Sequence, residues 1–272
     1  MPLIDKNNVS PAQCLALLLS LLVLGILGCS KKTTSASEKP VESASKYRLF
    51  EKSLEYSVNG NAHRYSLAIP QDYQSTAELP VIVYLHGRGG NENSELVFFS
   101  DYVDTIVEQC GIERPLIVFP SNENGLYLLD QGVHLASGLL GQVQQRFSLQ
   151  SYDKRILAGF SIGGAAATRT AIIYPNQYAA SVSWAGGLWP KDTILFDSVK
   201  NNAEELIRNK FTAHLFIGGK DSPELYNPLI SAMEEHQLSY NRRLLVGQEH
   251  KLGQYLERTQ KDFKSLMCKL LK

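Results

Sequence analysis

Three side chains, in one chain order, carry the chemistry that this sequence can perform. Ser161 stands in Gly159-Phe160-Ser161-Ile162-Gly163, a G-x-S-x-G pattern preceded by Arg155-Ile156-Leu157-Ala158 and followed by Gly164-Ala165-Ala166-Ala167. The stretch reads as a short buried strand, a strained turn and a helix of small residues. The glycines let the backbone pass closely, the turn lifts the hydroxyl above a sheet, and the helix start offers free N–H groups to a developing oxyanion. The bland alternative is a serine that merely caps the helix. To act as a nucleophile, the hydroxyl needs a base, and the base needs an acid that fixes its tautomer. Both are expected downstream, on loops that follow late strands. His250 follows the strand pattern Arg243–Val246 through Gly247-Gln248-Glu249, and is the expected base. Asp221 follows His214–Ile217 through Gly218-Gly219-Lys220, and is the expected acid, with Glu224 as the alternative. His236 falls inside an amphipathic helical pattern and is expected on the surface. Glu249 adds an acidic neighbour to the base. The oxyanion needs two donors. One is expected from the Ile162 N–H and the other from His86-Gly87-Arg88-Gly89-Gly90, Arg88 first and Gly87 close behind; His86 is expected to brace that loop.

These residues require a sheet whose strand ends converge. Leu54–Val58 and Ala62–Ile69 alternate on either side of Asn59-Gly60, which predicts an antiparallel hairpin. Val81–Leu85 is a continuous apolar run, suited to a strand buried on both faces. Strands then alternate with helices: a helix over Ser94–Cys110, a strand over Leu116–Phe119, a helix over Val133–Phe147, and the strand Ile156–Ala158 with its serine turn. Further strands are expected at Ala179–Trp184, His214–Ile217 and Arg243–Val246, with helices over Glu224–His236 and Tyr255–Leu270. The result is an α/β fold with eight strands, mostly parallel, and helices on both faces.

Of the 272 residues, 27 are basic and 27 acidic, so no global field attracts nucleic acid or another polyanion. The four cysteines show no metal-ligand spacing; Cys110 and Cys268 are either one disulfide or two buried thiols. The apolar run Leu15–Leu27 is shorter than the roughly 20 residues of a spanning helix. It ends at Gly28-Cys29-Ser30. Residues 1–28 resemble a bacterial lipoprotein signal, with Cys29 as the cysteine that is acylated; a short membrane anchor and a plain secretory signal are the alternatives. Residues 29–46 are polar and rich in Ser and Thr, a flexible tether of roughly 20–25 Å average reach. The folded domain is expected over 47–272. This places the protein in the bacterial cell envelope, lipid-anchored at the outer membrane or cell surface.

The motifs Ala68-Ile69-Pro70, Tyr84-Leu85-His86-Gly87, Ala158-Gly159-Phe160-Ser161-Ile162-Gly163-Gly164, Tyr174-Pro175 and Ser183-Trp184-Ala185-Gly186-Gly187 carry a resemblance. Residues from about 47 to 270 resemble the α/β-hydrolase fold, and within it the esterase group that includes esterase D-like and feruloyl-esterase-like enzymes. The resemblance implies a cofactor-free, metal-free serine esterase with Ser161, Asp221 and His250 as its triad, acting on small-molecule esters. A non-catalytic ligand-binding lipoprotein and a serine peptidase are the rival readings. Only about 28 residues separate Trp184 from Ala213, and Asn201–Lys210 reads as one surface helix, so no large lid is expected. Trp184, Trp189 and Tyr226 are candidates for an aromatic cleft wall or for the core.

Overall fold

Runs of apolar residues that are buried on both faces set the middle of the sheet. The computed structural model describes residues 47–58, 60–122, 138–187 and 192–272. The expected signal, Cys29 and the tether fall outside these, as do Asn59, Trp189 and part of the expected 133–147 helix. The strands are β1 (Tyr47–Val58), β2 (Asn61–Pro70), β3 (Val81–Leu85), β4 (Leu116–Pro120), β5 (Arg155–Phe160), β6 (Ala180–Trp184), β7 (Thr212–Gly218) and β8 (Ser239–Leu245). The helices are α1 (Leu96–Cys110), α2 (138–144), α3 (Ile162–Ile173), α4 (Thr193–Arg208), α5 (Asn227–Glu235) and α6 (Leu252–Leu270).

The sheet order is β1-β2-β4-β3-β5-β6-β7-β8. β2 runs antiparallel to β1 and β4, and β3 to β8 are mutually parallel. Alternation along β3 divides the core: Val81, Val83 and Leu85 join the apolar cluster with α3, α4 and α5, while Ile82 and Tyr84 join the one with α1 and α6. Helix α6 shows the matching stripe, burying Leu252, Tyr255, Leu256, Thr259, Phe263, Leu266 and Met267 at helical spacing. Cys110 and Cys268 form a disulfide that joins the end of α1 to α6, with Cα atoms 5.4 Å apart.

The eight strands match the expected ones; β5 and β7 are each three residues longer, and two others differ more in extent. β8 begins at Ser239 instead of Arg243, and its polar residues Ser239–Arg243 are those of an edge strand with no neighbour beyond it among the described residues. β1 extends back to Tyr47, through register shifts on both sides of Glu51 that break the alternation. The bulge at Ser53 has φ 53°, and its N–H donates to Ser66 Oγ at 3.0 Å. Helix α4 is also longer than the expected surface helix: it starts at Thr193 and buries Leu195, Val199, Ala203 and Leu206 against the sheet.

Candidate active site

The carboxyl ends of β3, β5, β7 and β8 lead into His86, Ser161, Asp221 and His250 along one edge of the sheet. At the end of β5 the chain reverses sharply. Ser161 has φ 56° and ψ −124°, a conformation that costs an L-residue on the order of 1–3 kcal/mol and persists only where its surroundings enforce it. Here the Ser161 N–H donates to the Trp184 carbonyl at 2.8 Å, and the Ser161 carbonyl accepts from the Ala165 N–H at 3.1 Å. The neighbouring glycines are required by space: a Cβ on Gly163 would run into the carbonyls of Leu85 and His86, and one on Gly159 into the carbonyl of Gly163.

His250 Nε2 lies 2.8 Å from Ser161 Oγ, and His250 Nδ1 lies 3.0 Å from Asp221 Oδ1. A carboxylate only accepts, so Nδ1 carries the proton and Nε2 presents its lone pair to the hydroxyl. The imidazole ring packs against Phe160 at a centroid distance of 4.8 Å. Asp221 keeps 11% of its side chain exposed, whereas His250 keeps 47%. Glu224, the alternative acid, is exposed on the 3-10 turn Pro223–Tyr226. His236 ends α5, at the opposite edge of the sheet from the serine.

Two supports were not legible in the sequence. Tyr255, in the first turn of α6, donates its O–H to Asp221 Oδ2. Burial raises the Tyr255 pKa, and the bond to Asp221 raises it further. Gln248 is buried in the loop that carries the base; its Nε2 donates to the Glu249 carbonyl at 2.7 Å, and its Oε1 accepts from Arg258 Nη1 at 3.1 Å. A buried Gln in a loop and a Tyr on a core stripe have no distinguishing pattern. Glu249 is held by Lys251 Nζ at 2.7 Å and Lys220 Nζ at 3.2 Å, and these two bonds lower its pKa.

Ser161, His250 and Asp221 open onto a cleft of about 630 Å³. Gly87, Arg88 and Ile162 line it, as expected of oxyanion donors, and Ile162 opens α3, where an N–H has no partner within the helix. The β3 loop is braced as expected: His86 Nδ1 donates to the Gly87 carbonyl at 2.7 Å, which also accepts from the Gly90 N–H at 3.2 Å. Burial lowers the His86 pKa. Trp184 and Tyr226 do not reach the cleft. Both are wholly buried, and Trp184 Nε1 donates to Thr259 Oγ1 at 2.8 Å inside the core. Phe160 supplies the aromatic wall instead. Among the described residues no group of three or more His, Cys, Asp and Glu side chains is placed to hold a metal ion.

No protein-family profile matches the sequence, and no curated protein matches it. Solved structures do. A ferulic acid esterase superposes with a TM-score of 0.68 at 14% identity, covering 82% of this chain and 98% of its own. The S-formylglutathione hydrolase of Staphylococcus aureus gives 0.59 at 16% identity, covering 81% and 97%. A serine-to-alanine mutant of the feruloyl esterase module from Clostridium thermocellum, complexed with sinapinate, gives 0.63 at 16% identity, covering 83% and 89%. The chain has the α/β-hydrolase fold.

Proposed function

We propose that this chain is a serine hydrolase that cleaves carboxylic esters of small or moderate size through an acyl-enzyme on Ser161. The observation that carries the reading is the unbroken hydrogen-bonded line from Asp221 through His250 to Ser161 at the floor of an open cleft. His250 Nε2 takes the Ser161 proton as Oγ attacks the ester carbonyl carbon, and Asp221 holds the imidazolium that forms. The Ile162 N–H and the Gly87-Arg88 segment receive the oxyanion, with Arg88 the expected second donor. The imidazolium gives its proton to the leaving alcohol oxygen as the C–O bond breaks. Water, deprotonated by the same base, then releases the acid and restores Ser161. The names of the similar structures describe hydrolysis of feruloyl esters and of S-formylglutathione, which favours acyl transfer over mere ligand binding.

Export as a lipoprotein belongs to the same reading. Residues 1–28 are its signal, Cys29 its acylation site and residues up to 46 its tether, which leaves the body from 47 onward anchored in the bacterial cell envelope. The composition of the leader supports this: an apolar run that stops at Gly28-Cys29, then a polar stretch without aromatics.

The test of the chemistry is turnover of a small chromogenic ester and a chromogenic peptide by the wild type and by Ser161→Ala, His250→Ala and the double variant. Ester turnover should fall by roughly 10⁴-fold or more in each single variant and no further in the double one, because the two side chains act as one unit. Multiplied losses would sink the assignment, peptide turnover alone would make it a peptidase, and no turnover of either would leave a binding protein. For the anchor, Cys29→Ala should abolish lipid labelling of the exported chain, and persistence of the label would refute it.

A further inference from the structure

The two ends of the cleft differ in chemistry. Ser161 ends β5, between β3 on one side and β6 on the other. Toward β6 and β7 the walls are Ala165, Ala185, Gly187, Leu225 and one polar residue, Ser222; toward β3 they include Arg88, Gly90 and Glu95. Glu95 immediately precedes α1, at the position where a short polar side chain ordinarily bonds the first N–H groups of the helix. It makes no such bond. Its Oε2 instead accepts from the Tyr84 O–H at 2.5 Å, on a ring that is wholly buried in β3. Among the described residues this is the only hydrogen bond of the Glu95 side chain, and no ion pair reaches it. Burial raises the Glu95 pKa and the Tyr84 bond only opposes that, with no cation contributing. A half-buried carboxyl group therefore lines the substrate cleft, with Oε2 held by Tyr84 and Oε1 open to water or to a ligand. Partial desolvation of this kind strengthens the attraction to a cation that displaces the water.

We propose that Glu95 is a specificity-determining residue of this cleft. Its carboxylate pairs with an ammonium group on the substrate, on the β3 side of the scissile ester, while the mainly apolar end toward β6 and β7 takes the other half. The proposal rests on the esterase reading above. Oε2 stays with Tyr84 and fixes the carboxylate; Oε1 receives the N–H. An ammonium suits the site better than a hydroxyl because it offsets the charge as well as filling the lone pair.

The experiment compares kcat/KM for two esters of equal length, one ending in a primary ammonium and the other in a methyl group, so that any general effect of a substitution cancels in the ratio. Wild type should prefer the cationic ester by roughly 10-fold to 100-fold, the range of one charge-assisted hydrogen bond. Glu95→Gln, whose amide oxygen can still accept from Tyr84, should bring the ratio to near unity. The wild-type preference should also fade as pH drops through the raised Glu95 pKa. Tyr84→Phe, which removes the bond that opposes that rise, should move the fade to higher pH. A ratio unaffected by Glu95→Gln, or a wild-type preference for the neutral ester, overturns the proposal and leaves the esterase reading standing. Turnover of neither ester overturns both.

Discussion

Replacing Tyr255 by Phe removes one oxygen from the site and leaves the ring in the stripe that α6 packs against the sheet. Among the described residues, the Asp221 side chain is bonded only by His250 at Oδ1 and Tyr255 at Oδ2. Without the phenol, the carboxylate is held by one partner and reached by water over the 11% of its side chain that is exposed. A hydrogen bond to a charged group contributes about 1.5–3 kcal/mol. Only the part that holds Oδ1 in line with Nδ1 as the imidazolium forms enters the barrier. About half of the upper figure, roughly 1.4 kcal/mol, corresponds to about tenfold in rate. The loss should fall well short of the roughly 10⁴-fold expected when a triad acid is neutralised. It should appear in kcat and spare KM, because Tyr255 does not line the cleft. The assay is steady-state hydrolysis of a short-chain chromogenic ester, with the unfolding midpoint of each variant measured alongside. Unchanged kcat, or a loss that follows the unfolding midpoint alone, refutes a positioning role.

Burial pushes the pKa of His214 down to about 4, with Lys269 lowering it and Asp262 opposing. The unfolded chain takes up this proton near 6.5, so the stability from this site is complete above that pH and is lost as pH falls toward about 4, by at most about 3 kcal/mol. Urea unfolding of wild type and His214→Gln at several pH values should show that slope only in wild type, and coincident slopes would refute it. The Cys110–Cys268 bond closes a loop of 158 residues, so a Cys110→Ser/Cys268→Ser variant should lose up to about 5 kcal/mol of stability while remaining active at 25 °C. Calorimetry that shows no fall in the unfolding temperature would count against this. Glu249→Gln should leave the pH–rate profile in place, because that carboxylate serves Lys251 and Lys220; a profile displaced to lower pH would show that it acts on His250 after all.

What was legible in the sequence followed from burial and chain order. Ser161, Asp221 and His250 could be read because each stands just past an apolar run, in the order that such folds use. The parallel strands could be read because both of their faces are covered. β8 was legible only at its end, since Ser239–Arg243 lie on an edge where exposure removes the apolar pattern. The first half of β1 was hidden by the bulges around Glu51 and Ser53. Tyr255 and Glu95 were missed for another reason: one sits on a core stripe and the other in a capping position, so their ordinary roles mask the contacts to Asp221 and Tyr84. The disulfide was undecidable because its partners are 158 residues apart in sequence, and only the packing of α1 on α6 brings them together.

The two outer strands have a colloidal consequence. An open sheet ends in rows of unpaired N–H and C=O groups, onto which a second molecule can add a strand and from which aggregation spreads. On β1 the Ser53 bulge bends the edge and spends its N–H inward on Ser66, while the Glu51 side chain is tied to Arg146. On β8 the exposed Arg242 places a charge where a neighbouring copy would have to align, and the Arg243 side chain is tied to Asp262. Neither border is therefore a flat, uncharged template, and both hinder the addition of a strand from another copy.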